Sequence, residues 1–70
     1  MTPQHFASLA LETWRASGHR TEARRDSLLV DYLCSYFGPV LTWTEDTHQL
    51  RISAIRQLRQ WTRIDELVCS

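Results

Sequence analysis

Apolar residues recur along this chain at helical intervals in three blocks. In the first, Phe6, Leu9, Ala10, Thr13 and Trp14 share one face at 100° per residue, with Leu11 well off it. Thr2 before Pro3 marks a helix start, because threonine can accept from the free amides of the first turn and proline suits the first helical position. Gly18 supplies the stop, so helix 1 is expected over about residues 3–17.

The second block begins after Thr21 and ends at Gly38-Pro39, a glycine terminator followed by a residue that cannot continue a helix. Leu28, Leu29, Tyr32, Leu33 and Tyr36 form its stripe, and Val30, Cys34 and Phe37 widen it. Only Arg24, Ser27, Asp31 and Ser35 make a clean polar edge. A helix this apolar is either central in the fold or packed on another subunit.

Residues 40–53, VLTWTEDTHQLRIS, read two ways. As a β-hairpin, Leu41 and Trp43 alternate with threonines, Leu50 and Ile52 alternate with polar residues, and EDTH turns between them. As a helix, Thr44 caps, Glu45 and Asp46 fill the favourable first turn, and the pattern runs on into the next segment. Ile52 decides for the hairpin, since on a continuous helix it would point into an arginine face. No Asn-Gly or Asp-Gly turn supports that choice. Helix 3 then runs from Ser53 or Ala54 to about Val68, burying Ala54, Leu58 and Trp61, with Ile55 and Ile64 less well centred. The expected fold is a mainly α single domain over 1–70, helix–helix–hairpin–helix, with an all-α bundle as the alternative.

Composition narrows what such a domain can do. Seventy residues bury only about 60–65% of their unfolded surface, so support beyond one core is expected. Two cysteines, Cys34 and Cys69, are too few for a disulfide framework, and Cys34 reads as a small hydrophobe on helix 2. Self-association is the support left. His5, His19 and His48 are scattered without ligand partners at helical spacing, so no metal and no cofactor are expected. Two glycines leave little to shape an oxyanion hole, and no catalytic residues are assigned. No apolar run reaches the ~18–20 residues of a membrane span, and the start MTPQHFASLA lacks a signal peptide's basic and apolar regions. A cytoplasmic protein is expected.

The formal net charge is zero, so any attraction for a charged partner must be local. All eight basic residues are arginine, and they cluster twice. Arg56, Arg59 and Arg63 fall on one face of helix 3, with Arg51 nearby, where they can follow a phosphate backbone or dock an acidic surface. His19, Arg20, Arg24 and Arg25 crowd the start of helix 2, the end whose dipole repels cations. Either an anion binds there, or Glu22 and Asp26, joined by Asp65 and Glu66 from the far end of the chain, neutralise the group. The aromatic residues Trp14, Tyr32, Tyr36, Phe37, Trp43 and Trp61 must divide between core and interface.

These features point to a small non-enzymatic regulator, adaptor or inhibitor of the kind bacteria and their phages make. It would bind a protein partner through Arg20, Arg24, Arg25, Arg56, Arg59 and Arg63. It would self-associate as a homodimer through Leu29, Leu33, Tyr36 and Phe37. The alternative is a dimeric nucleic-acid-binding regulator using the helix 3 arginine row.

Overall fold

In the computed structural model the described residues are 2–18 and 20–69 for the backbone, and 2–18 and 20–64 for side chains. His19 and the side chains of Asp65, Glu66 and Cys69 lie outside them. Three α-helices and one short 3-10 turn make up the described chain, with no strand among the described residues: α1 Pro3–Ala16, α2 Glu22–Phe37, the turn Val40–Thr42, and α3 Glu45–Cys69.

The caps of α1 and α2 follow from their sequence. Thr2 accepts from the His5 amide at 3.3 Å, with Pro3 at the first helical position. Thr21 accepts from the Arg24 amide at 3.1 Å. Gly38 ends α2 with φ 87°, a conformation that side chains with a Cβ rarely adopt. The end of α1 differs from expectation. Ser17, in extended backbone, closes the helix by donating its amide to Thr13 and Trp14 carbonyls, and Gly18 has no positive φ.

The hairpin expected at residues 40–53 does not form, and the all-α alternative is the observed fold. Two local devices explain why. Trp43 folds its indole into the bundle and donates Nε1–H to the Gly38 carbonyl at 2.8 Å, which a short turn allows and an extended strand does not. Thr44 then caps α3: its hydroxyl accepts from the Thr47 amide at 3.4 Å and its carbonyl from the His48 amide at 3.1 Å. Glu45 and Asp46 occupy the first turn, where the dipole favours carboxylates. Ile52 does lie on the arginine stripe, four, seven and eleven residues before Arg56, Arg59 and Arg63, but it is half-buried at the edge of that face. One apolar residue at the border of a polar face is ordinary and does not decide between helix and strand.

Contacts fix the directions of the helices. Phe6 stacks edge-on with Tyr36 at 5.5 Å, near one end of the molecule. At the other end the Trp14 indole donates to the Thr21 carbonyl at 3.0 Å, so α1 and α2 are antiparallel. Thr13 and Tyr32 hydroxyls bond between them at 2.6 Å. Arg25 reaches Thr62, so α3 runs antiparallel to α2 and alongside α1. With 25 residues, α3 is about 37 Å long and spans the 39 Å long axis.

One core joins the helices: Phe6, Ala7, Ala10, Leu11 and Trp14 from α1, Leu28, Leu29 and Leu33 from α2, Ala54 and Leu58 from α3, closed by Trp43. Helix α1 packs against both others, which is why Leu11, expected off the buried face, is inside. Ile64, expected on the buried face of helix 3, is exposed.

Candidate functional site

Arg25 sits one turn before Leu28 and Leu29, so helical periodicity carries its side chain onto the buried stripe of α2. Its aliphatic stem extends that stripe, and the guanidinium arrives at the seam between α2 and α3 with only 7% of the side chain exposed. A charge taken this far from water is costly unless it is paired and hydrogen-bonded. Nε donates to Asp26 Oδ1 at 3.0 Å, and Nη1 donates to Thr62 Oγ1 at 3.2 Å. The Thr62 hydroxyl, itself buried, donates back to the carbonyls of Leu58 and Arg59 at 3.0 and 3.2 Å. Among the described residues no buried side-chain nitrogen or oxygen lacks a partner.

The guanidinium borders an open groove of about 530 Å³ lined, among the described residues, by Glu22, Arg25 and Asp26 from α2 and by Arg59, Thr62 and Arg63 from α3. Both walls use the same i, i+3, i+4 spacing, the one that aligns side chains along a helix face. Asp26 stands between two guanidiniums, since its Oδ2 lies 3.8 Å from Arg59 Nη2. Arg59 and Asp26 side chains are 61% and 40% exposed, so this second pair contributes under about 1 kcal/mol. Among the described lining residues three guanidiniums face two carboxylates: α3 contributes Arg59 and Arg63, while Glu22 and Asp26 stand on α2 beside Arg25.

The two arginine groups that the sequence separates by more than thirty positions therefore meet in part. Arg25, Arg59 and Arg63 share the groove. Arg24 is exposed and Arg56, also exposed, lies on α3 outside the groove's lining. Arg20 turns the other way: it donates to the Arg15 carbonyl at 3.0 Å, and its guanidinium carbon lies 6.0 Å from the Trp14 ring centroid. Of the expected neutralisation of the basic group by Glu22 and Asp26, the Arg25–Asp26 pair is present, whereas the contributions of Asp65 and Glu66 lie outside the described side chains. Thr62 is a site residue that the sequence patterns above do not single out. Its signal was its place four residues after Leu58, which sets it on the inner face of α3.

The self-association residues divide as well. Leu29 and Leu33 are 1% and 0% exposed, already used in the chain's own core, which removes them from any surface. Tyr36 and Phe37 are 59% and 39% exposed and extend a ring cluster with His5 and Phe6. Beside them in sequence, Val40 and Leu41 on the 3-10 turn are exposed, Leu41 completely. A second, smaller hollow of about 310 Å³ lies between α1 and α3, lined by Ser8, Leu11, Arg15, Trp61 and Ile64.

Among the described residues no three His, Cys, Asp or Glu side chains gather into a metal-sized group. Among them, too, no helix is long and apolar enough to cross a membrane. Cys34 is a half-buried free thiol against the core.

Fold and groove together define a three-helix domain with a mixed-charge, arginine-lined cleft on one flank. No protein-family model matches the chain, and comparison with curated proteins and with solved structures yields no match.

Proposed function

We propose that this chain is a non-enzymatic regulatory protein that binds another protein through the α2/α3 groove and thereby modulates that partner's activity. The observation that supports this reading is the convergence of Arg59 and Arg63 from α3 with Arg25, Glu22 and Asp26 from α2 on one open cleft. Arginine is favoured at protein interfaces because its planar fork pairs with carboxylates in two parallel bonds. Carboxylates on the α2 wall repel a polyanion, and a protein surface bearing both signs complements both walls. The proposal places the protein in the cytoplasm, where a thiol such as Cys34 stays reduced.

The second reading, a nucleic-acid-binding regulator, draws on the exposed row Arg56, Arg59 and Arg63. Homodimerisation stays part of the proposal, now through Tyr36 and Phe37 with Val40 and Leu41, since Leu29 and Leu33 are inside.

Capture from nuclease-treated host lysate, with native protein and an Arg59→Gln/Arg63→Gln variant compared side by side, tests the main reading. It predicts a protein retained by the native form and lost by the variant. Tight binding of random duplex at about 50 mM salt, falling steeply as salt is added, would overturn it in favour of nucleic acid.

A further inference from the structure

We propose that Asp26 holds the place of a partner's carboxylate, so that the groove takes a protein segment carrying an acidic side chain for the α3 wall and a basic one for the α2 wall. This rests on the reading of the groove as a partner-binding site. The two contacts of Asp26 are unequal. Its Oδ1 is at hydrogen-bond distance from the locked guanidinium of Arg25, 3.0 Å, while its Oδ2 stays 3.8 Å from Arg59, beyond the 2.7–3.2 Å of a direct bond. Arg59 is thus drawn towards a carboxylate without being bonded to it, and its side chain remains 61% exposed.

A carboxylate entering at the mouth meets Arg59 and Arg63 one turn apart on the same face, about 5–6 Å between their Cβ atoms. It can accept a bidentate pair of bonds from Arg59, which a carboxylate held on α2 at this separation does not. Asp26 keeps Arg25, and Arg59 changes partners. Arg25 stays fixed by Thr62 throughout, so exchange leaves the α2/α3 seam in place. Glu22 is the other carboxylate among the described lining residues, exposed and without a bond to Arg25, Arg59 or Arg63, which leaves it to receive a basic group of the incoming segment.

Asp26 and Glu22 consequently have opposite roles although each contributes one negative charge. The probe is a short labelled peptide of Glu-Ala-Ala-Ala-Lys repeats, predominantly helical with acid and base four residues apart. Its affinity is measured for native protein and for Asp26→Asn, Glu22→Gln and Arg59→Gln/Arg63→Gln, each checked for helical circular dichroism. Asp26→Ser replaces the Asn variant if that one loses its helical signal.

The expected result is that Asp26→Asn binds at least about threefold tighter than native, the scale of one partly exposed ion pair released. Glu22→Gln binds more weakly than native, and the double arginine variant loses binding. Equal tightening by Asp26→Asn and Glu22→Gln would overturn the exchange, because it would reduce both residues to net charge. If the double arginine variant binds as native does, the groove itself is not a binding site and the broader reading falls with it. Random duplex bound more tightly than the peptide, and strengthened by both acid removals alike, would also overturn the proposal.

Discussion

The flank and the tip of this bundle handle exposed interaction groups in opposite ways. At the flank, a charged side chain is buried and held by named bonds: Arg25 by Asp26 and Thr62, with Arg59 and Arg63 standing around it. At the tip, apolar groups are left out: Tyr36 and Phe37 lean on the buried ring of Phe6, and Val40 and Leu41 follow them in sequence, exposed. Bonds with direction fix where a guanidinium sits, so the flank is a shaped site. Apolar contact has no direction, so the tip offers area without specificity. Under the proposed function, a partner that reads charge pattern would use the flank and association between copies would use the tip.

Substitutions separate the two regions by their anchors, and urea titration monitored by tryptophan fluorescence or circular dichroism reads them. Phe6→Ala has the largest expected effect, about 3–5 kcal/mol, since it removes a ring that is 1% exposed and undermines the tip from below. Arg25→Gln comes next at about 2 kcal/mol, because a shorter neutral amide cannot keep both the Asp26 and Thr62 bonds at the seam. Trp43→Phe keeps most of the buried ring and loses only the bond to Gly38, so about 1 kcal/mol is expected.

The smallest effects fall on exposed neighbours. Arg24→Gln leaves stability within about 0.5 kcal/mol, which makes adjacent arginines on α2 differ several-fold in their contribution. Leu41→Ser likewise leaves stability unchanged, and light scattering then shows whether it shifts self-association towards monomer. If it does not, the tip is not the dimer face. Should Arg25→Gln prove as neutral as Arg24→Gln, the flank is no more built than any solvated helix face.

The three-helix plan was legible wherever caps and periodicity agreed. Thr2-Pro3, Thr21 and Gly38-Pro39 carry their own chemistry, and each acts where the sequence puts it. Residues 40–53 carry a hairpin-like alternation and a helix cap at once; the Thr44 cap prevails, and Ile52, half-buried at the border of its face, does not discriminate between the two. Leu11 departs from the single-stripe expectation for a different reason. A one-stripe description suits a helix with one neighbour, and α1 has two.

At the candidate site the residue types were visible in the sequence and their grouping was not. Arg25 and Thr62 are 37 positions apart, and only the antiparallel crossing of α2 and α3 brings them to 3.2 Å. The buried state of Arg25 was nevertheless implicit in its spacing from Leu28 and Leu29. Leu29 and Leu33 show the converse: an apolar stripe does not say whether its own chain or a second one will cover it.

The central claim is that charge recognition is confined to the flank. Backbone and arginine side-chain NMR signals of the native protein, followed during titration with the Glu-Ala-Ala-Ala-Lys peptide, test it directly. The account predicts shifts concentrated at Glu22, Arg25, Asp26, Arg59, Thr62 and Arg63, with Arg24, Arg56 and the tip residues Tyr36 to Leu41 unmoved. Shifts spread evenly over all exposed arginines, or centred on the tip, would contradict it.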